Sequence, residues 1–124
     1  MFIKMKHSEK QIASIAIKVI KDIDWLFDQS KGVTPVEHTL EEQVLRLQDY
    51  KDHPNYQTAI ASMFPYWCVM MDFPKDDGWE GRNKIWVNIN DDTGLAYEVA
   101  HRQYEAKLRL NEKGIYEKIA ERYK

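Results

Sequence analysis

Four histidines, one cysteine and a run of asparagines and aspartates are the side chains of this sequence whose type and spacing could do chemistry. His7, His38, His53 and His101 fall in no HExxH or Cys/His pattern. His38 with Glu42, Asp49 with His53, and His101 with Glu105 are each four apart, which on a helix puts two ligands on one face. A structural zinc takes four protein ligands and a catalytic zinc three, so these pairs predict no metal site and no cofactor. Asn88, Asn90 and Asp92 imitate the start of a calcium loop, but Gly94 comes one residue late and Val99 stands where a bidentate glutamate is needed. A strand end running into a turn accounts for them better. Cys68 lies among Trp67, Val69 and Met70, where neither a helix N-terminus nor an activating histidine is adjacent, so a buried core thiol is expected rather than a nucleophile. Neither a glycine-rich phosphate loop nor a GxSxG elbow is present. No catalytic residue can be named, and the expectation leans away from an enzyme.

What remains is a surface. The stretch from Asp76 to Trp86 combines Trp79 and Trp86 with Asp76, Asp77, Glu80 and Arg82 on a segment bearing Gly78 and Gly81. Tryptophan and arginine concentrate at the energetic centres of interfaces, and a tryptophan among carboxylates on a turn-rich loop has little reason to be buried. The competing expectation is that Trp79 folds back as a lid over a sheet edge. Trp25 and Ile17 lie off the apolar stripe of the first helix and are either covered by a neighbouring loop or available to a partner.

Charge is unevenly distributed. Residues 1–36 hold six Lys/Arg and four Asp/Glu, residues 37–98 hold five and twelve, and residues 99–124 hold seven and four. The middle is acidic, by seven charges, and the ends are basic; such asymmetry can orient a basic partner. The basic C-terminal part carries Arg102, Lys107, Arg109, Lys113, Lys118, Arg122 and Lys124, with Glu105, Glu112, Glu117 and Glu121 interleaved at spacings that suit helical ion pairs. Phosphate binding usually needs a larger positive excess, so nucleic acid is the weakest of the partner classes.

The elements that must position these residues follow from periodicity. Tyr66 to Phe73, fenced by Pro65 and Pro74, reads as a strand buried on both faces. Ile85, Val87 and Ile89 alternate with Trp86, Asn88 and Asn90 as a half-buried partner strand. Ser8 and Gln11 form a capping box, followed by Ile12, Ile15, Ala16, Val19, Ile20, Ile23, Leu26 and Phe27 at helical spacing, which predicts a helix from about Glu9 to Asp28. Thr39 and Glu42 start a second helix ending near Asp52, and Pro54 opens a short third one, with an alternating strand over Gln57 to Phe64 as its rival. Leu95 to Asn111 fits either two strands or a helix; its Ala, Glu, Arg, Gln, Lys and Leu content favours the helix. Ile115, Tyr116, Ile119, Ala120 and Tyr123 then predict a last amphipathic helix. The expected fold is α+β: N-terminal helices, a small antiparallel sheet from about Tyr66 to Asn90, and C-terminal helices, in one globular domain spanning residues 1–124.

A lone cysteine permits no internal disulfide and favours the cytoplasm. Lys4, Lys6 and Lys10 ahead of Ile12 faintly resemble a signal peptide, but Ser14 and Lys18 interrupt the apolar region and no membrane span is expected. These features favour a small cytoplasmic protein–protein interaction module, an inhibitor, immunity-type protein or adaptor. Its acidic surface would carry Asp76, Asp77, Trp79, Glu80, Arg82, Trp86 and Trp25 against a partner with a basic surface, with homo-oligomerisation open. The alternative is an enzyme or small-ligand-binding domain whose site draws on His38, His101 and the acidic middle.

Overall fold

The structure is a computed structural model, and it describes residues 4–74 and 84–123. Six strands form one antiparallel sheet in sequence order: β1 (Val33–His38), β2 (Tyr66–Asp72), β3 (Lys84–Asn90), β4 (Ala96–His101), β5 (Tyr104–Leu110) and β6 (Tyr116–Tyr123). Helix α1 (Glu9–Asp22) packs across one face of this sheet, and α2 (Leu40–Arg46) and α3 (Tyr56–Ser62) occupy the long connection between β1 and β2.

The expected layout is therefore corrected. There is no C-terminal helix among the described residues; Leu95 to Asn111 is the β4–β5 hairpin, and the segment read as a last amphipathic helix is β6. Residue preferences for helix are worth a few tenths of a kcal/mol each, whereas β4 and β5 gain a ladder on either side, β6 gains one along β5, and together they bury Val99, Ala106, Leu108 and Tyr116 on α1's face. The sheet is not confined to Tyr66 to Asn90: its first strand, β1, lies ahead of that range, between α1 and α2.

α1 begins as its capping box requires: Ser8 Oγ accepts from Gln11 N at 3.2 Å and Gln11 Oε1 accepts from Ser8 N at 2.8 Å. It ends six residues short of Asp28. Asp24 adopts a left-handed φ of 61°, Trp25 N donates to Ile20 O and Asp24 N to Lys21 O, which is the Schellman closure usually made with glycine. The apolar stripe runs on past the stop, so periodicity overshoots the helix. Gln43 Nε2 donates to His38 O and Phe64 O, tying α2 to both ends of the β1–β2 connection. α3 is helical, so the rival strand over Gln57 to Phe64 does not form.

Trp67, Val69 and Met71 of β2 and Ile85, Val87 and Ile89 of β3 meet Ile12, Ala16, Val19 and Ile20 of α1 in the core. β2 alternates between buried and half-buried positions, so it is fully buried on one face only. Its other face, with Cys68 half-exposed, turns away from α1. Among the described residues no helix is long and apolar enough to cross a membrane.

Candidate functional site

The turn that stops α1 projects Trp25 towards the far corner of the sheet. There the Trp25 ring lies 6.3 Å from that of His101 and 5.7 Å from that of Tyr104, while Phe73 stacks on His101 at 4.4 Å and 15°. His101 and Tyr104 are opposite one another across the β4–β5 hairpin, whose tight turn holds Arg102 at φ 57°. Tyr104 pairs in turn with Tyr123 of β6, ring to ring at 5.1 Å. Asp24, Leu26, Pro74, Lys118 and Glu121 complete an open cleft of about 590 Å³ with five aromatic side chains in its walls.

Polar groups enter this cleft from β6. Lys118 Nζ sits 5.4 Å from the Trp25 ring centroid and 5.3 Å from that of Tyr104, within the range in which a ring's negative face attracts a cation. The same ammonium donates to Tyr104 OH at 3.1 Å, Tyr104 OH donates to Glu121 Oε1 at 2.7 Å, and Lys118 Nζ lies 3.3 Å from Glu121 Oε1. The hydrogen bond with Tyr104 raises the Lys118 pKa against some desolvation, burial raises that of Tyr104, and the Tyr104 hydroxyl lowers that of Glu121. All three shifts keep Lys118, Tyr104 and Glu121 in the charge states drawn at neutral pH, so these three groups present fixed charge to the cleft.

The expected site residues are distributed differently. Trp25 is in the cleft. Trp86 is 39% exposed on β3, paired with Met70 and Ala100 on the face turned away from α1, so it does not share a surface with Trp25. Asp76, Asp77, Trp79, Glu80 and Arg82 lie outside the described residues. His38 and His101, the histidines of the alternative reading, are not brought together. His38 is on edge strand β1, stacked on Tyr66 at 4.6 Å on the outer face, and His101 is three strands away on the inner one. Among the described residues no three His, Cys, Asp or Glu side chains converge as metal ligands. Burial pushes the Cys68 thiol up to about 11, with Glu98 adding to the rise, which disfavours the nucleophilic thiolate.

The C-terminal charges pair across strands and not along a helix: Lys107 with Glu98 at 2.6 Å, Arg109 with Glu117, and Arg122 with Glu105. Sequence reasoning missed Phe73, Tyr104, Tyr123, Lys118 and Glu121 as one constellation, and it missed Asp91. Asp91 is 1% exposed at the β3–β4 turn. Its carboxylate accepts from Lys6 N at 2.6 Å, His7 N at 3.1 Å and Trp67 Nε1 at 3.0 Å, with His7 Nδ1 3.2 Å away. It fixes the entry to α1 as the Schellman turn fixes its exit. The neighbouring asparagine serves the turn, since Asn90 Oδ1 accepts from Asp92 N and Thr93 N.

Comparison with protein-family models, with curated proteins and with solved structures gives no match for this chain.

Proposed function

We propose that this chain is a small cytoplasmic interaction protein, of the inhibitor, immunity or adaptor kind, that receives a cationic side chain of a basic partner in the cleft around Trp25. The observation that carries the reading is the seat of Lys118: two aromatic faces, Trp25 and Tyr104, already hold an ammonium between them. Asp24 and Glu121 give the lining a carboxylate excess over Lys118 alone. An arginine from a partner would stack on these rings as a plane and take a carboxylate in a two-pronged contact, both of which the lysine head does poorly. Lys118, on a flexible four-carbon stem, can withdraw to solvent. The acidic balance of residues 37–98 supports approach by a basic surface.

A second reading rests on the cleft's volume, about 590 Å³, which is also that of a small-molecule site; His101 and Tyr104 would then contact the ligand. One experiment separates the two. Protein captured from extracts of the native host on the immobilised chain is compared with that captured on Trp25→Ala and Tyr104→Ala chains. The interaction reading expects a basic protein held by the first and lost from the other two. Equal recovery on all three removes the cleft from the interface, and a co-purifying small molecule in native mass spectrometry, with no protein recovered, establishes the second reading instead.

A further inference from the structure

The two edges of the sheet are built differently. β1 carries Pro35, which has no N–H to offer and blunts that edge. β6 is eight residues long, contains no proline, and leaves Ile119 52% and Tyr123 76% exposed. It is the last strand of the sheet, so its outer side has no ladder partner among the described residues.

We infer that β6 is a self-complementary edge, and that its partner is a second copy of this chain, joined antiparallel across a two-fold axis between Ile119 and Ala120. In that register Tyr116 meets Tyr123 of the second copy, Glu117 meets Arg122, Lys118 meets Glu121, and each relation is repeated by symmetry. Every charge finds its opposite.

The backbone permits this register because of one extra residue. Leu108 pairs with Lys118 but Lys107 with Ala120, so Ile119 is a bulge in β6. In a regular strand, positions seven apart such as Tyr116 and Tyr123 would point to opposite faces. With the bulge, Tyr116, Lys118, Glu121 and Tyr123 share the face covered by α1, and Glu117 and Arg122 share the other. The hydrogen-bond phase agrees. Asn111 N donates to Ile115 O at the hairpin mouth, and alternation from that pair turns the N–H and C=O groups of Tyr116, Lys118, Glu121 and Tyr123 away from β5. These are the four positions that the proposed register sets opposite one another; Tyr116 N already donates to Asp22 Oδ2 at 2.9 Å within the chain, so at that end of the ladder the bond to the second copy is Tyr123 N donating to Tyr116 O. Shifted registers do worse: centring the axis on Lys118 or on Glu121 places like charges directly opposite.

The charge pairs within the chain extend the same pattern. Arg109 pairs with Glu117 and Glu105 with Arg122, so joining two copies makes a row of Arg109, Glu117, then Arg122 and Glu105 of the second copy, alternating in sign over four strands. The inference rests on this edge and stands whether or not the Trp25 cleft binds a cation.

Sedimentation or light scattering of the whole chain, from micromolar to millimolar concentration, should show a concentration-dependent rise from 14.8 kDa towards twice that mass. Glu117→Arg and Arg122→Glu each set like charges opposite and should weaken self-association by about tenfold or more. Mixing these two variants, or combining them in one chain, restores opposite charges and should restore the dimer. That rescue keeps the test decisive even where a single variant is less stable. Amide exchange at Lys118 and Glu121 should slow as concentration rises. A wild-type chain that stays at 14.8 kDa throughout, single variants that associate like wild type, or a mixture that stays monomeric would each overturn the inference.

Discussion

Replacing Asp91 by asparagine tests how much of this fold hangs on one buried carboxylate. Oδ1 accepts Trp67 Nε1 and His7 N, and Oδ2 accepts Lys6 N at 2.6 Å. Asparagine keeps one oxygen and sets an NH₂ group against whichever donors face the other, so the Lys6 N–H loses its acceptor. One lost charge-assisted bond costs about 1.5–3 kcal/mol, and the two that remain weaken when the charge goes, giving roughly 3–4 kcal/mol in all. For a chain of this length that is about 10 °C or more in Tm. Thermal and urea unfolding of both proteins between pH 7 and pH 2 supply the measurement. Burial alone would raise the carboxyl's pKa, but the bonds from Lys6 N, Trp67 and His7 more than offset it and the net shift is downward. A depressed carboxylate stabilises the fold fully above its unfolded pKa, about 3.9, and that contribution is lost as pH falls through the folded value. The gap between wild type and variant should therefore be constant near neutrality and close below about pH 4. A gap under about 1 kcal/mol at pH 7, or one that stays open to pH 2, would refute the assignment.

Trp25→Ala should abolish partner capture, a loss of about 2 kcal/mol or more in affinity, while costing about 2 kcal/mol of stability because the ring is only half-buried; partner titration beside a thermal melt reads both. Gly94→Ala places a Cβ 2.8 Å from His7 Nε2 at φ 73°, whereas Gly32→Ala at φ 77° meets open space. Both pay about 1 kcal/mol for the left-handed backbone, so Gly94→Ala should melt lower by an additional amount that vanishes in a His7→Ala background. With its thiol at about 11, native Cys68 should alkylate at pH 8 roughly two-hundredfold more slowly than a free cysteine, by intact-mass kinetics; equal rates would contradict its burial. The same raised pKa means that Cys68 favours the fold below about pH 8.5 and that this contribution is lost as pH rises towards 11.

α1 and the β2–β3 pair were legible in the chain because their signals are local. A capping box needs only Ser8 and Gln11, and alternation needs only a strand's own residues. The end of α1 was not legible, because its stop is an aspartate in a left-handed conformation and the apolar stripe continues beyond it. The outer face of β2, read as core, is only half-buried, whereas α1 packs against the inner face.

The C-terminal third shows the division most clearly. Its sequence already contained both a helical stripe and a strand alternation, and residue types alone leaned to the helix. What decided for strands was the ladder that β3 offers to β4, β4 to β5 and β5 to β6, a gain that exists only once a neighbour is in place. The cleft has the same origin. Trp25, Phe73, His101, Tyr104 and Lys118 come from a helix exit, a strand exit and three strands, and no spacing along the chain relates them. Composition and period fixed which residues seek burial and where α1 begins; pairing across the sheet decided which of them meet, because cross-strand contacts depend on register between segments and not on the order of residues within one.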